Sequence, residues 1–221
     1  MIADRLKSIR DTLPSGVELV AVSKFHPAEA VKEAYDAGQR VFGESRASEL
    51  TEKTSQLPAD IVWHFIGHLQ TNKVRPVVAA ASVIQSIDSE RLLLAVDREA
   101  EKQGRRVDVL LQLHVAAEET KFGLTPDEAC DLAERVVPQL KAVTVTGVMG
   151  MASNTPDDRE RITADFRAIR ATFDRLAAGA LSGEPRFTVC SMGMSDDRDI
   201  AIACGSNMVR IGTDIFGMRE Y

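Results

Sequence analysis

Apolar residues fall along this chain in short, β-rich runs separated by stretches with helical periodicity. Runs of strand length stand at residues 18–23, 40–42, 61–66, 83–87, 107–113, 144–149, 187–191 and 208–211. Most are nearly continuous in apolar character, as expected of strands buried on both faces. The intervening segments carry helix signals. Pro27 stands at a first helical position and Gly38 closes that pattern. Ser89 caps the stretch through Gln103, with Gly104 as its stop. Thr125-Pro126-Asp127-Glu128 reads as a capping box with proline at the first helical position. Thr155-Pro156-Asp157-Asp158 opens a long helix to about Ala178. Ser195 is expected to cap a short helix with Asp196 and Asp197 in its first turn, at the positive end of the helix dipole.

Continuous apolar strands alternating with helices mean parallel pairing under a helical cover. Eight such units predict an α/β fold, a single-domain (β/α)8 TIM-type barrel over residues 1–221. The competing doubly wound sheet would need glycines in the first strand-to-helix turn for a dinucleotide fingerprint, and Ser23-Lys24-Phe25-His26-Pro27 has none. No linker, internal repeat or low-complexity segment divides the chain.

Composition narrows the function. The 221 residues are 44% hydrophobic with a formal net charge of -6, which argues against nucleic acid or an anionic membrane surface as the main partner. No apolar run approaches the length of a membrane helix, and residues 1–13 lack the apolar stretch of a secretory signal. Cys130, Cys190 and Cys204 have no paired spacing, so a reducing cytoplasm is the expected compartment and each thiol a small buried apolar residue.

In a barrel the residues after each strand converge on one rim, where active sites form. Lys24 directly follows the first strand. Alone it reads as a loop-solvating lysine, but beside an apolar pocket its amine would become a usable nucleophile. The seventh loop, Ser191-Met192-Gly193-Met194-Ser195, and the eighth, Gly212-Thr213, are placed where barrels bind phosphate through backbone N–H groups; tight packing with ordinary capping is the bland alternative. A lysine facing a phosphate site suggests a phosphorylated aldehyde held as an imine, and pyridoxal 5′-phosphate (PLP) is the commonest such cofactor. Arg210, inside an apolar strand end, is a natural donor to a pyridine nitrogen. His64 and His68 are four residues apart on a strand, too far to share a zinc ion, so no metal site is expected. Glu44, Asp88 and Glu118 read as rim hydrogen-bonders or caps, and Lys73 and Lys121 as solvated or anion-facing.

Several motifs together resemble the pyridoxal phosphate homeostasis protein family. They are Ala21-Val22-Ser23-Lys24, Phe42-Gly43-Glu44, the run from Trp63 to Lys73, Glu118-x-x-Lys121-x-Gly123, the seventh loop, and the segment from Val209 to Gly217. The resemblance implies a barrel like the N-terminal domain of alanine racemase. It implies PLP held as a Schiff base on Lys24, with Glu44, Ser191, Met192, Arg210, Gly212 and Thr213 completing the cofactor site and Arg210 at the pyridine nitrogen. It also implies a non-catalytic role in PLP and vitamin B6 homeostasis; on that reading the chain passes PLP to apo-enzymes or limits free aldehyde, with a monomer expected and a weak dimer left open. Two positions depart from the family's usual asparagines, Ser45 and His114, and a titratable His114 would make binding depend on pH. The alternatives are a PLP-dependent racemase and a cofactor-free Schiff-base aldolase. The first needs a second acid/base group, and among the tyrosines only Tyr35 and Tyr221 are present, neither at a strand end.

Overall fold

A strand buried on both faces has no polar side to turn to water, and the eight apolar runs are used in that way. The computed structural model describes residues 1–116 and 122–218. They form β1 (Glu18–Val22), β2 (Val41–Glu44), β3 (Val62–Phe65), β4 (Val83–Ile87), β5 (Val107–Leu113), β6 (Val143–Gly150), β7 (Val189–Ser191) and β8 (Met208–Ile211). All neighbouring pairs are parallel, and β8 returns to β1 with Ala21 opposite Ile211, closing the barrel in chain order.

The helices between them are α1 (Ile2–Thr12), α2 (Ala28–Asp36), α3 (Ala47–Gln56), α4 (Val74–Ala80), α5 (Glu90–Lys102), α6 (Pro126–Arg135), α7 (Arg159–Ala178), α8 (Arg198–Ala203) and α9 (Thr213–Phe216). The expected caps at Ser89 and Thr125 are present; Ser89 accepts from the Leu92 N–H and Thr125 forms a reciprocal box with Glu128. Gly38 and Gly104 sit at φ +90° and +63°, the left-handed turn that glycine supplies after a helix.

Strand alternation sorts the side chains into two shells. Outward residues such as Leu19, Phe42, Trp63, Phe65 and Val109 join the helices in one contiguous apolar core. Val20, Val22, Leu110, Met149 and Met208 are buried outside that core, in the barrel interior, together with polar His64, Gln85, Ser191 and Arg210.

Some bounds differ from the sequence expectation, each for a local reason. The second strand runs on through Gly43 because that glycine faces the interior, where a Cβ would stand 3.0 Å from Val20. Phe187 leaves the seventh strand to stack on Phe173 of α7, ring centroids 4.9 Å apart. The long helix begins at Arg159, capped by Asp158, the last residue of the segment expected to open it. Ser195 does not cap α8: the N-cap is Asp197, whose carboxylate accepts the Met194 N–H at 2.6 Å and so folds the loop back on itself.

Gly147 lies beside the register shift between β5 and β6, and an added Cβ would overlap the Val189 carbonyl on β7. Gly147→Ala should therefore lower stability by about 3 kcal/mol. Gly183→Ala, with open space around it, should fall within about 0.5 kcal/mol of the parent. Urea midpoints of the two variants check the contrast.

Candidate functional site

Lys24 occupies a turn that the protein braces from behind. After β1 the chain bends through Ser23-Lys24-Phe25-His26, with the His26 N–H donating to Ser23 O at 3.1 Å. Phe25 is held at φ +67°, left-handed, a conformation costing a bulky residue about 1–2 kcal/mol. Side chains from β2 and α3 maintain it. Glu49 accepts the Phe25 N–H at 2.8 Å. Lys53 donates to Ser23 O at 2.9 Å and to Glu44 Oε1 at 2.6 Å, and Glu44 Oε1 also accepts from the Ser23 hydroxyl at 2.7 Å. The Arg46 guanidinium lies 4.3 Å from the centre of the Phe25 ring. Glu44 and Lys53 are 0% and 5% exposed. Burial pushes the Glu44 carboxyl above its ordinary value, with Lys53 opposing, and its Oε2 has no hydrogen-bond partner.

A second polar group fills the barrel interior. Arg210 on β8 donates from Nη1 to Ser191 O at 2.9 Å and to Ser191 Oγ at 2.7 Å, and from Nη2 to Gly150 O at 3.1 Å. Those bonds engage three of its five N–H donors, all with neutral oxygens. Burial lowers the guanidinium to about 10, with more distant Asp197 opposing, so it stays a cation at neutral pH. The Ser191 hydroxyl lies 2.8 Å from Gln85 Oε1, and Gln85 Nε2 lies 2.7 Å from His64 Nδ1. Burial pushes His64 down to about 3, so its imidazole is neutral.

The loops after β7 and β8 complete this end of the barrel. Gly193 adopts φ +94°, and a Cβ there would stand 2.7 Å from Ala201 Cβ. Gly212 packs against the end of β1, where a Cβ would stand 3.0 Å from Val22 O, two residues before Lys24. Arg198 joins the two loops through a 2.6 Å ion pair with Asp214, and His26 stacks on Phe216 of α9 with ring centroids 5.2 Å apart.

Thus the structure brings Lys24, Ser191, Arg210, Gly212 and Thr213 to the C-terminal end of the barrel. Two other expected site residues lie elsewhere. Glu44 faces outward from β2 toward α3, because alternation turns Gly43 inward. Met192 is fully buried in the outer core, and its N–H donates to Met208 O at 3.1 Å. His64 and His68 have separate partners, Gln85 and Asp88, and no group of three metal-ligating side chains occurs among the described residues. Tyr35 donates to Asp60 on the outer surface. Cys190 is buried and its thiol pushed up to about 12. Ser45 and His114 are both half-buried. Glu118, Lys121 and Tyr221 lie outside the described residues. The sequence reading missed Lys53, Glu49 and Gln85. Glu49 and Lys53 have the i, i+4 spacing of an ordinary exposed helix pair, whereas Gln85 was detectable as an amide in the middle of an apolar strand.

The family model for the alanine racemase N-terminal domain matches residues 1–220. The pyridoxal phosphate homeostasis protein of Helicobacter pylori is 35% identical over 202 residues, covering 90% of this chain and 87% of that one. Its counterpart in Bos taurus is 38% identical over 212 residues, covering 92% and 77%. The structure of PipY from Synechococcus elongatus with PLP bound superimposes with a TM-score of 0.87 at 38% identity, covering 98% of this chain and all of the other. Alanine racemase from E. faecalis, with a TM-score of 0.74 at 19% identity over 57% of its length, shares the fold.

Lys53→Met leaves the Glu44 carboxylate buried without its cation, and the variant should lose about 3–5 kcal/mol at neutral pH. Glu44 then has a folded pKa raised further above its unfolded value. A raised carboxyl contributes stability below the unfolded pKa and loses it as pH rises through the folded one. The deficit relative to the parent should therefore shrink toward about pH 5 and widen toward about pH 8. Urea unfolding of both proteins across that range checks the sign.

Proposed function

The chain belongs to the pyridoxal phosphate homeostasis protein family, within the alanine racemase N-terminal-domain fold, and on that footing we propose that it binds PLP on Lys24 and acts in intracellular vitamin B6 homeostasis without turnover of its own. The observation that carries this reading is Arg210, a buried cation whose three hydrogen bonds leave two N–H donors unused, on the strand whose following residue, Gly212, packs against the end of β1 just before Lys24.

PLP brings an aldehyde that condenses with a lysine amine, and a pyridine ring that withdraws electrons most strongly when its nitrogen is protonated. The protein supplies the rest. Its braced turn would hold Lys24 at the rim. Arg210 offers N–H to the ring nitrogen, and a guanidinium keeps its protons, so it opposes protonation there and weakens the ring as an electron sink. Gly193, Gly212 and Thr213 offer close backbone approach for the phosphate. Ser191 acts on Arg210 rather than on the phosphate, since its hydroxyl oxygen is held between Arg210 and Gln85. Glu44 serves the site from behind, through Ser23 and Lys53.

Such a site holds the aldehyde well and promotes little carbanion chemistry, which supports a carrier or buffer rather than a racemase. The partners that fit are PLP itself and apo-enzymes that receive it, with a monomer as the expected state. Among the described residues no helix is long and apolar enough to cross a membrane.

Purified protein supplied with PLP should turn yellow, and borohydride reduction should fix the cofactor on Lys24, whereas Lys24→Ala should show neither effect. A colourless parent with no adduct on Lys24 would reject the reading. Amino-acid racemisation by the parent at ordinary enzyme rates, of order 1 per second or faster, would reject the non-catalytic part alone.

A further inference from the structure

A barrel interior is ordinarily filled by branched apolar side chains. Here three consecutive contacts inside it, linking four residues, are polar. They run from His64 on β3 to Gln85 on β4, across the lumen to Ser191 on β7, and on to Arg210 on β8. All four residues are 5% exposed or less.

Chemistry gives this chain one direction. A guanidinium has no acceptor, so the 2.7 Å contact between Arg210 Nη1 and Ser191 Oγ is donated by Arg210. Ser191 has a single hydroxyl proton, and its 2.8 Å contact with Gln85 Oε1 takes it. With Gln85 Oε1 as that acceptor, Nε2 faces His64 and Met208 Sδ at 2.7 and 3.3 Å. His64 must then accept at Nδ1 and carry its single proton on Nε2, which agrees with burial holding the ring neutral. Each link is a donor to the next, and the sole permanent charge stands at the end nearest the site.

We infer that Gln85 is a positioning residue for Arg210: acting through Ser191 and backed by His64, it fixes the guanidinium so that its remaining N–H groups face the bound cofactor. A carboxylate at residue 85 would satisfy the same hydroxyl but would offset the charge of Arg210. The neutral amide orients the cation and leaves its field intact. This inference rests on the PLP reading above.

The test combines PLP titration by absorbance, thermal unfolding, and nitrogen-15 NMR of the histidine rings in PLP-free protein. The proteins are the parent, Gln85→Leu, Ser191→Ala and the double variant. In the parent, His64 should be protonated at Nε2 only. Gln85→Leu, if folded, should weaken PLP binding about tenfold. The double variant should bind no worse than the weaker single one, because both substitutions break the same chain. Gln85→Glu gives a second readout that does not need the apolar variant to fold, since its carboxylate should draw a proton onto His64 Nδ1. Four results overturn the inference: Nδ1 protonated in the parent, an unchanged His64 ring in folded Gln85→Glu, PLP affinity of folded Gln85→Leu within about twofold of the parent, or losses that multiply in the double variant. No PLP binding by the parent overturns the cofactor reading and this inference with it. Parent binding with an unaffected Gln85→Leu overturns the inference alone.

Discussion

Closing eight parallel strands into a barrel removes water from both faces of every strand, so each polar group within it must find its partner within the protein. Most of the interior avoids the problem with Val20, Val22, Leu110, Met149 and Met208. Arg210 does not. An isolated buried guanidinium would cost several kcal/mol even after relaxation, and the neighbourhood is arranged around that cost. Gly150 and Ser191 give it carbonyl oxygens, Ser191 adds a hydroxyl, and Gln85 and His64 continue the chain until the last acceptor is met. None of these partners is charged, so the cation is satisfied geometrically without being neutralised.

The same rule operates in the shell between barrel and helices, with the opposite chemical solution. There Glu44 is fully buried and is matched by a cation, Lys53. The pair holds Ser23, while Glu49 holds the N–H of Phe25 in its left-handed conformation. Strain of that kind persists only where surrounding contacts over-determine it. Two independent polar networks therefore serve the C-terminal end of the barrel: one inside, through Arg210, and one outside, through α3, bracing the turn that carries Lys24. Arg198–Asp214 and His26–Phe216 tie the loops of that end together.

The likeness to alanine racemase at 19% identity is a likeness of fold alone. What separates function from fold here is the local chemistry of the rim. In the proposed site, a guanidinium at the ring nitrogen would limit electron withdrawal, whereas an acidic partner there would promote it. The proposed carrier role thus follows from one side chain's permanent charge more than from the barrel that presents it.

Periodicity and capping were enough to set the fold class. Continuous apolar runs dictate strands buried on both faces, and Ser89, Thr125 and the glycines at 38 and 104 mark helix ends through purely local hydrogen bonds and dihedrals. The positions of Lys24, Arg210 and Gly212 in the barrel were legible for the same reason, since each stands at or beside a strand end and strand ends share a rim. What only the tertiary structure decided is which way each side chain of the site turns and what it meets. Glu44 follows an interior glycine and so faces α3, and Met192 follows Ser191 and so enters the outer core. Lys53 and Gln85 gain their roles from partners 30 and 106 residues away in sequence. Local sequence determines where a strand begins and ends, but strand alternation combined with barrel closure determines which buried polar groups face one another, and that pairing exists only after the chain has closed.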